Sequence, residues 1–195
     1  MACDEEKEGG PKPELMMARL LKTRTILING AVEEELAERV IAQALVLDAE
    51  SHKPIRVFIT SPGGEIDVGF AMYDILRYVE SEIVSIGAGF VASMGVPIML
   101  AAKKANRYSL PNTRYMLHQP MTGAAGQTSD IRITAREIIK LRERLNRLIA
   151  EESGQAIEKV QSDSDRDFWM TAEEALAYGL VGKIIHEARE LGLEA

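Results

Sequence analysis

Thr25-Ile26-Leu27-Ile28-Asn29-Gly30 opens the stretch on which the fold turns, and Ile55-Arg56-Val57-Phe58-Ile59 closes it. Each is a short apolar run rich in β-branched residues, and Asn29-Gly30 stops the first, so each reads as a strand. Between them, from about Val32 to Glu50, Leu36, Val40, Ile41, Ala44 and Leu47 recur at helical spacing. Glu33, Glu34 and Glu35 fall in the first turn of that helix, where the backbone dipole favours negative charge. Pro54 prevents the helix from running on. Strand, helix and strand at this length make a βαβ unit.

The unit repeats along the chain. Ser61-Pro62-Gly63-Gly64 ends the second strand and opens a helix carried by Val68, Met72, Ile75, Leu76 and Val79. Ile83-Val84-Ser85-Ile86 reads as a third strand, and Val96-Pro97-Ile98-Met99-Leu100-Ala101-Ala102 is apolar and long enough for a buried helix. Arg114-Tyr115-Met116-Leu117-His118 is a further strand, entered through Leu110-Pro111-Asn112. Repeated right-handed crossovers predict an α/β fold, a largely parallel sheet with helices on its faces. Ligands in such sheets collect at the carboxyl ends of the strands, where Gly63-Gly64, Ser93 and His118 all fall. A helix from about Ser129 to Ser153 has an apolar stripe of Ile131, Ile138, Leu141, Leu145, Leu148 and Ile149. It spans roughly 36 Å, so it either overhangs the domain to meet another subunit or lies flat on the sheet. Thr171-Ala172-Glu173-Glu174 is a capping-box pattern that starts a short helix ending near Gly179.

Size and composition narrow the class without naming a function. A chain of 195 residues with 46% hydrophobic content suits one soluble domain. Residues 1–18, with Gly9-Gly10-Pro11-Lys12-Pro13 and the acidic cluster Asp4, Glu5, Glu6 and Glu8, read as a mobile arm ahead of a single domain over 19–195. There is no apolar run of about 18 residues to span a membrane, and the acidic N-terminus is unlike a signal or transit peptide. The lone cysteine, Cys3, rules out an intrachain disulfide, in keeping with a cytoplasmic location. A net charge of −7 argues against nucleic acid as a partner.

Among catalytic chemistries, metal and phosphate sites fail first. His52, His118 and His186 have no ligand spacing to one another or to Cys3, and neither phosphate-binding glycine motif is present. Nucleophilic catalysis survives. Gly89-Phe90-Val91-Ala92-Ser93-Met94-Gly95 puts one hydroxyl at a strand-to-helix junction among glycines, beside the first amides of the helix. A plain helix N-cap would also account for a serine there. As a nucleophile Ser93 needs a base, and His118 ends an apolar strand at the same sheet edge, whereas His52 and His186 lie in polar surroundings. Asp67, Asp130, Asp163, Asp165 and Asp167 all remain open as the carboxylate that orients the imidazole. Position 91 is Val, so the G-x-S-x-G elbow of α/β-hydrolases is absent, and the residue order matches neither chymotrypsin nor subtilisin.

From about Leu20 to Ile185 the sequence resembles the ClpP peptidases, the proteolytic component of ATP-dependent Clp proteases. The resemblance rests on Ser61-Pro62-Gly63-Gly64, Ala92-Ser93-Met94-Gly95, Met116-Leu117-His118-Gln119-Pro120, and Asp165-Arg166-Asp167 followed by Met170-Thr171-Ala172-Glu173-Glu174-Ala175. It implies a ClpP/crotonase-type fold with a protruding helix-strand handle at about 119–153. It implies Ser93 as nucleophile, His118 as general base and Asp167 as the orienting carboxylate, with the amides of Gly64 and Met94 as oxyanion hole. Gly123-Ala124-Ala125-Gly126-Gln127 would pair with the substrate backbone, and Asp165 with Arg166 would link ring contact to triad geometry. The implied assembly is two stacked heptameric rings, of one chain or mixed with a paralogue. A AAA+ unfoldase such as ClpX, ClpA or ClpC would feed it unfolded polypeptides, and ATP would be consumed by that partner, with no cofactor in this chain. Two features depart from the family pattern: an acidic, Gly/Pro-rich segment 1–18 replaces an apolar pore-lining one, and Arg56 and Phe58 stand where tyrosines often line the unfoldase docking pocket. The rival readings are a crotonase-type acyl-CoA enzyme and a non-catalytic subunit of a mixed Clp ring.

Overall fold

The structure, a computed structural model, describes residues 13–121 and 126–192. The first half of the chain runs α1 (Pro13–Lys22), β1 (Thr25–Asn29), α2 (Glu34–Glu50), β2 (Ile55–Ser61), α3 (Ile66–Tyr78), β3 (Ile83–Ala92) and α4 (Gly95–Met99). There follow β4 (Arg107–Ser109), β5 (Arg114–Leu117), α5 (Thr128–Ser153), α6 (Ile157–Asp163), β6 (Phe168–Met170), α7 (Ala172–Tyr178) and β7 (Lys183–Ile184). The β-branched runs form a sheet ordered β1-β2-β3-β4-β7, all neighbours parallel, as the repeated βα pattern predicts. The α/β fold class holds, with one addition. β3 forks the sheet: Ser85–Gly87 pairs with β4, while Phe90–Ala92 pairs with β5, which in turn pairs antiparallel with β6. The third strand is thus longer than its β-branched start suggests, and Gly89, at φ +66, sits between its two halves.

Burial follows strand alternation. Ile55, Val57, Ile59 and Ser61 of β2 point inward, and Arg56, Phe58 and Thr60 are half-buried between them. Leu36, Val40, Ala44 and Leu47 of α2 and Phe70, Met72 and Leu76 of α3 join the same core. The capping box on α7 forms as expected, with Thr171 Oγ1 accepting from the Glu174 amide and Glu174 accepting from the Thr171 amide.

Three expectations need adjustment. Residues 13–18, assigned by sequence to the arm, are helical: Leu15, Met16, Met17, Leu20 and Leu21 are strong helix formers, and Leu21 packs on the core. Residues 1–12 lie outside the described residues. The buried helix after Ser93 stops at Met99 rather than running to Ala102. Arg107 explains the stop: its guanidinium donates to the carbonyls of Leu100 and Ala102, and so satisfies oxygens that a longer helix would have used. Third, α5 neither lies flat nor stands wholly clear. Its C-terminal half buries Leu145, Asn146, Ile149, Ala150 and Ser153, while Ile131, Ile133 and Ile139 in its N-terminal half are 41%, 57% and 56% exposed.

Arg107 is only 1% exposed, and it also donates to the carbonyl and the carboxylate of Glu152 near the end of α5. One guanidinium therefore fastens the long helix to the segment behind Ser93. Replacing Arg107 with methionine leaves the carbonyls of Leu100, Ala102 and Glu152 without this donor, and leaves the half-buried Glu152 carboxylate with only Arg77, at 3.4 Å, among the described residues. The expected cost is about 3–5 kcal/mol, read as a lowered urea midpoint at unchanged m-value.

Candidate active site

Ser93 sits where β3 ends and the chain turns into α4, at the fork of the sheet. Its φ is +50, a left-handed conformation that costs a non-glycine residue about 1–2 kcal/mol. The surroundings hold it there. The Ser93 N–H donates to Met116 O at 2.9 Å, and Ser93 O accepts from the Val96 amide at 3.0 Å. The turn is not an N-cap, because Ser93 makes no side-chain cap bond to α4. Instead its Oγ lies 2.8 Å from Nε2 of His118.

His118 immediately follows β5, and Asp167 immediately precedes β6. The antiparallel register pairs Tyr115 with Met170, Met116 with Trp169 and Leu117 with Phe168, so the next rung sets His118 opposite Asp167. His118 Nδ1 and Asp167 Oδ1 are 3.3 Å apart. A second tie supports the rung: Gln119 Nε2 donates to Asp165 O at 2.9 Å. The His118 side chain is 16% exposed and that of Asp167 is 64% exposed, so the imidazole is sheltered and the carboxylate faces solvent.

The other candidate carboxylates are occupied elsewhere. Asp163 takes the Tyr178 hydroxyl at 3.0 Å and Lys159 Nζ at 2.7 Å. Asp165 lies 3.4 Å from Arg142 of α5, and Arg166 is exposed. Asp130 is in the first turn of α5, and Asp67 lines a neighbouring groove. His52 sits on the surface near Asp48 and Glu80, away from Ser93.

Beside Ser93, the Pro62-Gly63-Gly64 loop packs so closely that side chains are excluded. A Cβ on Gly63 would fall 2.5 Å from Ser93 Cβ, and one on Gly64 would strike the backbone of Val32. Gly64 is held by a bridge to Val32, through Val32 N–H to Gly63 O and Glu65 N–H to Val32 O, each 2.9 Å. Among the described residues the amides of Gly64 and Met94 donate to no backbone carbonyl. Both residues border a cavity of about 270 Å³ with Ser93 and His118. Its wall continues through Pro97, Leu117, Leu145, Asn146 and Ile149, so α5 supplies one side of it. The sequence reading did not assign this wall; the buried spacing Asn146, Ile149, Ala150, Ser153 was its one signal. Of the expected substrate-pairing strand, Gly123, Ala124 and Ala125 lie outside the described residues, and Gly126 and Gln127 lead directly into α5.

A polarised hydroxyl, a sheltered imidazole and two free amides around one cavity are the equipment of serine acyl transfer. The sequence model of the Clp protease family matches residues 8–188. The chain belongs to that family. It is 45% identical over 194 residues to ATP-dependent Clp protease proteolytic subunit 2 of Pseudomonas aeruginosa, covering 97% of this chain and 96% of that one. Proteolytic subunit 3 of Rhizobium meliloti is 46% identical, with 96% of each chain covered. Among solved structures, a ClpP1 variant from Listeria monocytogenes matches with a TM-score of 0.84 at 47% identity, over 90% of this chain and 99% of that one. As a member of the Clp protease family the chain is a serine-type endopeptidase. The acyl-CoA and non-catalytic readings fall away.

Proposed function

We propose that Ser93, His118 and Asp167 carry out peptide-bond hydrolysis, with the amides of Gly64 and Met94 stabilising the oxyanion. The observation that carries this is the 2.8 Å approach of Ser93 Oγ to His118 Nε2, with Asp167 on the opposite ring nitrogen. With the Nδ1 proton on the side of Asp167, 3.3 Å away, Nε2 is the acceptor, and it takes the Ser93 proton as Oγ attacks the scissile carbonyl carbon. Negative charge on the carbonyl oxygen meets the two amides as the tetrahedral intermediate forms. His118 then protonates the departing amine, and water attacks the acyl-enzyme by the reverse relay. Every step uses side chains and backbone of this chain, so the reaction needs no cofactor here.

Substitution Gly64→Ala tests the oxyanion assignment. The added methyl meets the Val32 backbone and displaces the amide, so kcat is expected to fall about 10²- to 10³-fold, with the far-ultraviolet dichroism spectrum unchanged.

The chain bordering the site fits an extended substrate. A groove of about 820 Å³ adjoins the catalytic cavity, shares Gly64, Ile66, Pro120 and Met121 with it, and is rimmed by Glu33, Glu34, Glu35, Glu65 and Asp67. The exposed isoleucines of α5 support its role as a handle between two stacked heptameric rings. The relatives are numbered as proteolytic subunits 2 and 3, which supports rings mixed with a paralogue. Their description as ATP-dependent supports a AAA+ unfoldase partner of the ClpX, ClpA or ClpC kind, delivering unfolded chains in the cytoplasm. Among the described residues no helix is long and apolar enough to cross a membrane.

Short fluorogenic peptides offered to the purified protein, alone and with an unfoldase or a paralogous subunit, test the proposal. Hydrolysis that is lost with fluorophosphonate labelling at Ser93 supports it. Hydrolysis with labelling at another serine overturns the site assignment.

A further inference from the structure

The side chain of Asp167 is 64% open to solvent, so no enclosure of its own holds it against His118. Its place comes from the backbone on either side. β6 is only Phe168–Met170, and among the described residues it pairs with β5 alone. An edge strand with so few ladder bonds opens easily unless side chains secure it. Ahead of it the chain runs from Asp163 through Ser164, Asp165 and Arg166, the last two exposed.

One side chain secures this segment at both ends. Tyr178, the last residue of α7, is 6% exposed. Its hydroxyl donates to Asp163 Oδ2 at 3.0 Å, at the end of α6. Its ring meets that of Phe168, the residue after Asp167, with centroids 6.0 Å apart and planes tilted by 49°. Lys159 closes the cluster. Its ammonium lies 2.7 Å from the same Asp163 oxygen, 5.0 Å from the Tyr178 ring centroid and 5.8 Å from that of Phe168. Burial, and then the Asp163 carboxylate, push the Tyr178 phenol well above its ordinary value, so it stays protonated and keeps donating. Packing alone would need only the ring. The hydroxyl adds a directional tie to the helix from which the Asp167 segment departs.

We infer that Tyr178 is a positioning residue for the peptidase reaction: its hydroxyl on Asp163 and its ring on Phe168 hold the intervening backbone so that Asp167 reaches the imidazole of His118. The inference rests on Asp167 as the orienting carboxylate. Tyr178 does not line the cavity bordered by Ser93 and His118, so its effect travels through the segment it grips.

The test is a double-mutant cycle on the full-length protein, with active sites counted by fluorophosphonate labelling to completion and turnover measured on a fluorogenic peptide. Tyr178→Phe keeps the ring on Phe168 and removes the tie to Asp163. Its kcat per labelled site is expected to fall about tenfold, within the hundredfold that a displacement of about 1 Å can cost, with KM unchanged. Introduced into Asp167→Asn, the same substitution is expected to change kcat by no more than about twofold, because the group it positions is already gone. Counting per labelled site removes any loss that is merely structural. Asp163→Ala takes away the acceptor instead and is expected to match Tyr178→Phe. Asp163→Asn keeps an oxygen for the hydroxyl and is expected to retain most of the rate. Losses that multiply fully in the double variant overturn the inference, and so does a Tyr178→Phe protein with wild-type kcat. If Tyr178→Phe does not fold, the Asp163 pair decides, and equal rates for its alanine and asparagine variants overturn the inference. A loss under tenfold for Asp167→Asn alone removes the orienting role of Asp167 and the inference with it. A large loss there, with full multiplication in the cycle, removes the inference and leaves the triad standing.

Discussion

Peptide hydrolysis by the Ser93→Ala protein is expected to fall on the order of a millionfold, to a residual rate set by the amides and the binding cavity. The argument is geometric. Ser93 Oγ lies 2.8 Å from the imidazole Nε2, and its removal takes away the hydroxyl that His118 would deprotonate. The fold should be untouched. Alanine meets the same left-handed φ of +50 as serine, and among the described residues Ser93 Oγ makes no bond to the backbone that the variant would lose. The expected result is unchanged assembly and thermal midpoint, no fluorophosphonate labelling, and no peptide turnover. Turnover within tenfold of wild type would show that another group is the nucleophile.

Asp167→Asn should produce the next largest loss. An asparagine at 167 keeps the size of the side chain but turns an acceptor into a group that also donates, so the imidazole is no longer held with its proton on Nδ1. In sheltered triads this change lowers kcat about ten-thousandfold. Here the carboxylate is 64% exposed and 3.3 Å from Nδ1, so water competes for the ring, and the expected loss lies nearer a thousandfold. The fall should appear in kcat and in the rate of covalent labelling of Ser93, with KM little changed. A loss under tenfold would mean that solvent, rather than Asp167, orients the base.

The two predictions differ in how legible their residues are before folding. His118 is readable because it ends a strand with its own local pattern, and Ser93 because it is a lone hydroxyl among glycines ahead of a buried apolar run. Asp167 was one of five open aspartates, and only family resemblance selected it. The structural reason for choosing it is the antiparallel rung between β5 and β6, and β6 is just Phe168–Met170. Three residues are too few to show an alternation of period two. The fork in β3 escaped detection for a related reason, since Gly87-Ala88-Gly89-Phe90 reads as a loop unless the second partner strand is known. The early stop of α4 depends on Arg107, a cation whose sequence position gives no hint that it is buried. Asn146 was hidden by the opposite bias. A polar residue beside an apolar stripe reads as solvated, and only the folded chain shows Asn146 at 3% exposure against the buried Ser164 hydroxyl.

The fork in the sheet also governs how faithfully the proposed catalytic groups are aligned. Ser93 follows one strand, His118 the next and Asp167 precedes the third, so main-chain pairing across a three-strand ribbon indexes all three. A single-residue slip of the last strand would bring Arg166 or Phe168 opposite the imidazole, replacing the carboxylate with a cation or an aromatic ring. Misalignment would therefore tend to switch the enzyme off in a step rather than by degrees, and strand registration acts as its proofreading.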